Sequence, residues 1–283
     1  MSQTYKTDLL GKVVVITGGA GVLGSHFAKA IASCSAKVVI LDLFEEKARA
    51  VAKEITDMGH EAVGIKANVL DKADLERAHQ DILATYGKCD ILINGAGGNN
   101  PKATTDDEFF APDKLGTPGN KSFFDLDLEG FNFVFGLNFT GTLLPTQVFA
   151  KDMIDRPGAI ILNISSMNAF TPLTKIPAYS AAKAAVSNFT QWLAVHFAKI
   201  GIRVNAMAPG FFSTEQNASL LWNKDGTPTP RTMKILNNTP MGRFGEPDEL
   251  IGTLLWLLDN QASGFVTGVV VPVDGGFSAY SGV

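Results

Sequence analysis

The chain has 283 residues, of which 46% are hydrophobic and 18% charged, a composition typical of a globular protein with a large buried core. Its formal net charge of −4 leaves no strongly basic surface, so we expect no nucleic-acid partner. The chain shows neither a secretory signal pattern nor an apolar stretch long enough to span a membrane, so we predict a cytoplasmic protein with no membrane partner.

Short β-branched runs alternate with longer amphipathic segments along the chain. The predicted strands cover residues 12–17, 37–41, 61–66, 90–93, 159–165, 202–206 and 268–273. The predicted helices cover residues 22–33, 45–58, 71–86, 129–155, 180–199 and 246–258. Several strands are apolar almost throughout, as expected when helices cover both faces of a parallel sheet. The alternation therefore predicts an α/β fold built on a doubly wound parallel sheet.

Two long segments interrupt this alternation, residues 98–128 and 210–240. Both exceed the length of an ordinary strand-to-helix connection. Long loops in a compact α/β domain are usually lids or binding loops, and less often disordered insertions. Because ligands of such sheets bind beyond the carboxyl ends of the strands, we predict that the two loops form a substrate lid.

A glycine-rich turn, TGGAGVLG, follows the first strand and begins the first helix. Gly19, Gly21 and Gly24 satisfy the GxGxxG pattern within a complete strand–helix–strand unit. Glycines at these positions permit a tight turn and let the backbone approach a pyrophosphate at the helix N-terminus. The turn therefore predicts a dinucleotide site.

Asp42 ends the second strand, 18 residues beyond Gly24. Its carboxylate can accept hydrogen bonds from the adenosine ribose hydroxyls and would repel a 2′-phosphate. Neither Leu43 nor Phe44 supplies a cation that would attract that phosphate. The sequence therefore predicts NAD(H) in preference to NADP(H), the alternative for Asp42 being a solvated strand end.

Three later turns are also expected to contact the dinucleotide. Asn68 and Val69 can reach the adenine edge, although an asparagine is equally expected for the turn itself. The small residues of NGAG let the backbone lie against a flat cofactor, and Pro209 with Gly210 turns the chain at the nicotinamide. The predicted cofactor residues are Gly18, Gly19, Gly21, Val22, Leu23, Gly24, Asp42, Leu43, Asn68, Val69, Asn94, Gly95, Ala96, Gly97, Tyr179, Lys183, Pro209, Gly210, Phe212 and Thr214.

The predicted catalytic residues are Ser166, Tyr179 and Lys183. Tyr179 and Lys183 are four residues apart at the start of a helix, so their side chains share one face. An ammonium near a phenol favours the phenolate, so we expect Lys183 to lower the pKa of Tyr179 and to make it a general acid and base. Ser166 can hydrogen-bond the substrate oxygen as negative charge develops there.

On these residues the chain resembles the short-chain dehydrogenase/reductase family over nearly its full length. TGGAGVLG is similar to the family's TGxxx[AG]xG turn, NGAG to its NNAG segment, and PAYSAAK to its YxxxK site. The resemblance implies a single Rossmann-type domain over residues 1–283, a sheet of about seven strands and a homotetramer. It also implies that Asn138 is catalytic and holds a water in the proton relay behind Lys183. Val22 and Asn68 depart from the family pattern, which has Gly or Ala and more often Asp at those positions.

Other strings resemble a sugar-acid branch of that family, the D-mannonate oxidoreductases (fructuronate reductases). They include GAGGNNPKATTD, FFDLDLEGF and DGGFSAYSGV. The resemblance implies a small-molecule substrate, D-mannonate or D-fructuronate. Polar and cationic side chains in these segments suit a hydroxylated carboxylate, although charged loop residues are more often merely solvated. The candidate substrate residues are Asn99, Asn100, Lys102, Asn168 and Arg231, with Lys175 and Asn217 in the same segments.

Two other classes of function stay open at this point. One is a related dehydrogenase that acts on gluconate and 5-ketogluconate or on a 3-oxoacyl thioester. The other is a non-catalytic NAD-binding protein, although such proteins tend to lose the tyrosine or the lysine. No metal site is predicted, because the four histidines are scattered and the two cysteines form no CxxC pair.

Overall fold

Seven parallel strands form one sheet in the computed structural model, which describes residues 7–213 and 221–282. The strands are β1 (Val13–Thr17), β2 (Lys37–Asp42), β3 (Glu61–Lys66), β4 (Ile91–Asn94), β5 (Ile160–Ile164), β6 (Arg203–Pro209) and β7 (Val270–Val273). Their order across the sheet is β3-β2-β1-β4-β5-β6-β7. The predicted parallel α/β fold is therefore confirmed.

Helices cover both faces of this sheet. They are α1 (Val22–Ala32), α2 (Glu45–Asp57), α3 (Lys72–Thr85), α4 (Leu128–Phe135), α5 (Gly141–Phe149), α6 (Pro177–Phe197), α7 (Pro230–Asn237), α8 (Ile251–Leu258) and α9 (Asn260–Ser263). Successive side chains of a strand point to opposite faces. Val14 and Ile16 of β1 accordingly pack with residues of α1, α2 and α8, whereas Val13 and Val15 pack with residues of α3, α5 and α6. Two buried cores thus sandwich the sheet.

The helix predicted over residues 129–155 is not continuous. Five residues between α4 and α5, Gly136–Thr140, form a π-helical turn, and a 3₁₀ turn follows α5 at Ala150–Met153. Asn138 explains the interruption, because its side-chain amide donates to the carbonyls of Val134 at 2.8 Å and Gly98 at 2.7 Å. A residue inserted into the helix by a π turn re-aims the side chains around it.

Two other helix boundaries differ from the prediction. Helix α6 begins three residues early, at Pro177, because a proline at the first position of a helix needs no hydrogen bond from its nitrogen. Helix α7 lies inside the predicted long loop 210–240, and Thr229 caps it by accepting the backbone N–H of Thr232. The predicted helix 246–258 is a 3₁₀ turn, Pro247–Leu250, followed by α8.

The segment 98–128 contains short 3₁₀ turns rather than long elements: Pro101–Ala103, Pro112–Lys114 and Phe123–Asp125. Both long segments leave the sheet at the carboxyl ends of its strands, after β4 and after β6. The strand order reverses between β1 and β4, which is where doubly wound sheets form their ligand crevice. No described helix is both long and apolar enough to cross a membrane.

Candidate active site

A cleft of about 580 Å³ opens at the reversal point between β1 and β4. Most of the predicted cofactor residues line it: Gly18, Gly21, Val22, Leu23, Gly24, Asp42, Leu43, Asn68, Val69, Gly95, Ala96, Gly97, Tyr179, Lys183, Pro209 and Gly210. The sequence analysis missed other lining residues: Ala20, Phe44, Lys47, Ala67, Gly98, Leu137, Ile164 and Ser165. These residues lie close in sequence to the predicted cofactor and catalytic residues, and that closeness is the only sequence feature that could have indicated them.

The glycine turn is packed so closely that side chains do not fit. Gly18 has a φ of +64°, and a Cβ there would lie 2.8 Å from the Cα of Ala96. A Cβ on Gly24 would meet the carbonyl oxygen of Gly18 and lie 2.8 Å from the Cα of Gly19. Val22 begins α1, whose first N–H groups have no partner within the helix. The turn is therefore a cradle for an anionic group such as a pyrophosphate.

Asp42 lies beside this turn, at the end of β2. Its carboxylate accepts the N–H of Ala20 at 3.2 Å and the N–H of Phe44 at 3.1 Å, so the turn holds it in place. Lys47 also lines the cleft, and its ammonium lies 4.9 Å from the centroid of the Phe44 ring. A carboxylate and a cation therefore face the same end of the cleft.

Asn68 takes part in the turn after β3. Its side-chain oxygen accepts the N–H of Leu70 at 3.0 Å, and its own N–H donates to Asp74 at 2.7 Å. These bonds agree with the turn role that the sequence left open, while the residue still lines the cleft.

Ser166, Tyr179 and Lys183 meet at the other end of the cleft. The Ser166 hydroxyl lies close enough to the Tyr179 phenol to lower the pKa of that phenol. The Lys183 ammonium lies 5.7 Å from the centroid of the Tyr179 ring and donates to the carbonyl of Ile164 at 2.7 Å. The cluster therefore places a phenol, a hydroxyl and an amine around one open space.

The protonation of this cluster differs from the prediction. Burial raises the pKa of the Tyr179 phenol, and the nearby Ser166 hydroxyl lowers it by less. Burial also lowers the pKa of Lys183 from its ordinary 10.5 to about 8. Burial in a medium of low polarity disfavours the charged form of both groups, so the expected lowering of the Tyr179 pKa by Lys183 is overridden.

Gly97 separates Asn138 from Lys183. A Cβ on Gly97 would lie 2.7 Å from the Asn138 side-chain oxygen and 3.1 Å from the Lys183 ammonium nitrogen. The same Asn138 oxygen accepts the N–H of Gly98 at 3.2 Å. Asn138 is fully buried and thus ties the turn after β4 to the π-helical turn behind Lys183.

Three predicted cofactor residues in the described part of the chain do not line the cleft. A Cβ on Gly19 would press on the carbonyl of Ile16 instead. The Asn94 amide donates to Thr146 at 3.0 Å and to Asn163 at 2.8 Å inside the core. Phe212 is 8% exposed and packs against Gly245. Thr214 lies outside the described residues, as does Asn217 of the substrate candidates.

A second cavity of about 500 Å³ lies beside the first, between the segment that precedes α6 and helix α7. It brings together Arg231 and Lys175 of the substrate candidates. Sequence reasoning missed Glu108, Lys234, Asn238 and Phe277 in its wall, because their proximity depends on how the two long loops fold.

The four remaining substrate candidates that the structure describes do not line this cavity. Asn99 donates to Thr104 at 3.2 Å, and Asn100 caps the 3₁₀ turn at Lys102. Lys102 lies 4.0 Å from Asp127. Asn168 is 5% exposed, and its side-chain oxygen has no hydrogen-bond partner among the described residues. Among residues 7–213 and 221–282, no three His, Cys, Asp or Glu side chains are arranged to hold a metal ion.

Known proteins resemble the chain over its whole length. A sequence profile described as short chain dehydrogenase matches residues 12–224. An uncharacterized oxidoreductase of Haemophilus influenzae is 60% identical over 283 residues, which cover 100% of this chain and 99% of the relative. A crystal structure from Haemophilus influenzae, described as a proposed D-mannonate oxidoreductase with bound NAD, is 60% identical with a TM-score of 0.94 and 98% coverage of both chains.

A more distant solved structure takes another cofactor. It is a gluconate 5-dehydrogenase of Burkholderia cenocepacia in complex with NADP and tartrate. It is 30% identical to this chain, with a TM-score of 0.80, and the match covers 97% of this chain and 98% of that one.

Proposed function

The chain belongs to the short-chain dehydrogenase family, and from this premise we propose that it transfers a hydride between NAD(H) and a sugar acid. We propose D-mannonate and D-fructuronate as the substrate pair. The observation that carries the proposal is the meeting of Ser166, Tyr179 and Lys183 in the cleft lined by the glycine turn. The relative described as a proposed D-mannonate oxidoreductase with NAD supports the choice of substrate.

Tyr179 is proposed to carry the proton. Its raised pKa keeps the phenol protonated at neutral pH, so in the reducing direction it can donate a proton to the substrate carbonyl oxygen. Ser166 donates a hydrogen bond to that oxygen as negative charge develops on it. NADH held in the cleft would supply the hydride for the carbonyl carbon, and NAD+ would accept it in the opposite direction. The Lys183 ammonium favours the phenolate form of Tyr179 that alcohol oxidation needs.

Lys183 and Asn138 are proposed to position the cofactor and the proton path. Lys183 is buried, with its ammonium held by the Ile164 carbonyl, at a point where a ribose hydroxyl can reach it. Asn138 is proposed to support the relay behind it by holding the turn after β4, from Gly97 to Gly98, in place.

NAD(H) is the proposed cofactor, and Asp42 is the reason. Its fixed carboxylate faces the cleft at the end of β2, where a 2′-phosphate would meet a like charge. The Lys47 ammonium lies over the Phe44 ring and not against the Asp42 carboxylate, so it weakens the repulsion of a 2′-phosphate without removing it. We expect Asp42→Asn to narrow the ratio of NAD to NADP efficiency by roughly tenfold or more, corresponding to about 1.4 kcal/mol. An unchanged ratio would remove Asp42 from this role.

The test of the whole proposal is a substrate panel. Purified protein should oxidise D-mannonate with NAD+ and reduce D-fructuronate with NADH, followed by absorbance of NADH. Tyr179→Phe should lower kcat by about 10²- to 10⁴-fold while NADH binding persists, because only the proton carrier is lost. Turnover of gluconate and 5-ketogluconate alone would favour the second candidate, to which the Burkholderia gluconate 5-dehydrogenase points. Turnover of a 3-oxoacyl thioester alone would reject both sugar acids.

A cytoplasmic homotetramer is the proposed state of the protein. Helix α6 presents Trp192 at 56% exposure and Val195 at 80% exposure, and apolar faces of this kind are typical of subunit contacts. Light scattering of the purified protein measures the mass directly, and a monomeric mass would contradict the proposal.

A further inference from the structure

We infer that the second cavity holds the carboxylate of the substrate and that Arg231 is its anchor. The inference rests on the proposed function, and it assigns one particular side chain to the acid group. The cavity measures about 500 Å³, within the range of small-molecule sites, which is roughly 300–1,000 Å³. It is walled by the segment that precedes α6, by α7 and by Phe211 and Phe277.

Three cationic side chains line this cavity, and they differ in the hydrogen-bond or ion-pair partners that they already have. The Lys175 ammonium donates to the backbone carbonyl of Asp106 at 2.5 Å. The Lys234 ammonium pairs with the Glu108 carboxylate at 2.6 Å. Arg231 is exposed and makes no hydrogen bond or ion pair with the residues in 7–213 and 221–282. Its guanidinium is therefore available, with a fork of N–H donors that matches a carboxylate.

The surroundings of Arg231 favour an anion further. Arg231 is the second residue of α7, so it stands at the end of the helix where backbone N–H groups point outward and the dipole is positive. Against the three cations, the cavity wall contains one carboxylate, Glu108, which Lys234 already neutralises. A monoanionic group that enters this cavity meets net positive charge.

The cavity lies within reach of the reacting atoms. Ile176 lines it and precedes Tyr179 by three residues, about one helical turn, or roughly 5 Å along the axis. Phe211 lines it too, directly after Gly210 of the dinucleotide cleft. In D-fructuronate the carboxylate and the ketone are separated by several hydroxyl-bearing carbons. A substrate can therefore place its ketone at Tyr179 and its acid group at Arg231.

The substrate class follows from this separation. The arrangement suits open-chain sugar acids whose carboxylate is remote from the carbon that changes oxidation state. A 2-hydroxy acid that reacts next to its carboxylate would leave Arg231 beyond reach. A neutral polyol would leave it without a partner.

The experiment compares three variants by calorimetric titration of D-mannonate into NADH-loaded protein, which cannot oxidise it, and by steady-state kinetics. Arg231→Met removes the charge and should raise Kd and KM roughly tenfold to a hundredfold with kcat nearly unchanged, since a hydrogen bond to a charged group contributes about 1.5–3 kcal/mol. Arg231→Lys should restore only part, because an ammonium cannot bind the carboxylate in a bidentate manner. Lys72→Met, which removes an exposed cation at the start of α3 that lines neither the cleft nor the cavity, is the control and should change Kd less than about threefold. Melting curves and NADH affinity confirm that each variant folds.

Failure of the inference and failure of the proposed function are separable. If wild-type protein oxidises D-mannonate and Arg231→Met does so with the same KM, the anchor is wrong and the proposed function stands. If wild-type protein binds D-gluconate or D-galactonate in an Arg231-dependent way but does not turn over D-mannonate, the anchor stands and the proposed substrate is wrong. If no aldonate binds to the wild-type protein, the inference is overturned.

Discussion

The cleft lined by the glycine turn, which is the proposed dinucleotide side, and the second cavity, which is the proposed substrate side, are held together in different ways. Around the first cleft, glycines at positions such as 18 and 24 bring backbone against backbone with no room for a Cβ. Around the second cavity, contacts run between exposed side chains, as in the pair of Lys234 with Glu108. Close packing of backbone against backbone permits only one arrangement of the chain. Solvated ion pairs contribute little to stability, and either partner can be replaced at small cost.

The comparison extends to buried polar groups. Asn94 of β4, Asn163 of β5 and Thr190 of α6 form a chain of hydrogen bonds inside the core beneath the catalytic cluster. Such buried chains restrict the backbone, because each unpaired member would be costly. The substrate loops instead bond through side chains at the surface, such as Lys114 with Asp107 at 2.9 Å. We therefore expect substitutions to be severe on the first side and mild on the second.

The largest expected effect is the pH dependence that Lys183 gives to stability. Burial lowers its pKa from 10.5 to about 8, so the unfolded chain binds this proton more tightly than the folded one. Below pH 8, burial of the charged amine lowers the free energy of unfolding by its full amount. This loss disappears as pH rises from about 8 to about 10.5. Relative to Lys183→Met, the free energy of unfolding of the wild type should rise by about 3 kcal/mol over that window. Urea titrations at pH 7 and 10.5 measure the free energy of unfolding of both proteins. If it changes with pH by the same amount in wild type and in Lys183→Met, the buried amine is not the cause.

A methyl group on Gly24 should break the cofactor cradle. Because its Cβ meets the Gly18 carbonyl, Gly24→Ala should weaken NADH binding roughly tenfold to a hundredfold, overpacking costing about 1–3 kcal/mol. Gly252→Ala is the control: it lies in α8 with nothing within 4 Å of a Cβ, and it should raise the melting temperature, since alanine is favoured over glycine in helices by about 1 kcal/mol. Fluorescence titration with NADH checks the first result, and wild-type affinity in Gly24→Ala would break the comparison.

Loss of one buried hydroxyl should give an intermediate effect. Thr190→Val leaves the Asn163 amide without its acceptor at 2.9 Å, which should lower the free energy of unfolding by about 1–2 kcal/mol. Thr56→Val removes an exposed hydroxyl that bonds to the Lys53 carbonyl on α2 and should cost clearly less. Denaturant titration of both variants tests the difference. If both variants lose the same free energy of unfolding, burial does not strengthen the contribution of these hydrogen bonds to stability.

The smallest effect is expected in the loop 98–128. Lys114→Ala removes an ion pair with Asp107, and we expect the melting temperature to stay within experimental error because solvent screens both groups. A clear drop in a thermal melt would show that this loop is held as firmly as the dinucleotide side.

The strands and the cofactor turn could be predicted from sequence because both are local signals. All seven predicted strands are present, and only their ends shifted, as with β6, which extends to Pro209. Helix α7 was missed although Thr229 and Pro230 are a recognisable start, an N-cap followed by a proline. The interruption at Asn138 could not be predicted, because it depends on the Gly98 carbonyl 40 residues away.

The sequence predicted which side chains meet in the cleft better than it predicted their protonation. The four-residue spacing places Tyr179 and Lys183 on one helical face. Their pKa values depend on burial, which cannot be read from the spacing. Asn94 stands in a cofactor motif and yet bonds inside the core, since a motif position can support a turn without touching a ligand. The wall around Arg231 combines segments distant in sequence and needed the fold.

The π-helical turn at Gly136–Thr140 takes up one extra residue within a single widened turn. The helix that follows therefore keeps the orientation that a regular helix one residue shorter would give it, and Pro145 and Phe149 of α5 are both buried. Removal of one residue from this turn would leave α5 facing the core, but it would close the widened turn and displace the Asn138 amide from the Gly98 carbonyl. A one-residue deletion here would thus disturb the cleft while sparing the core.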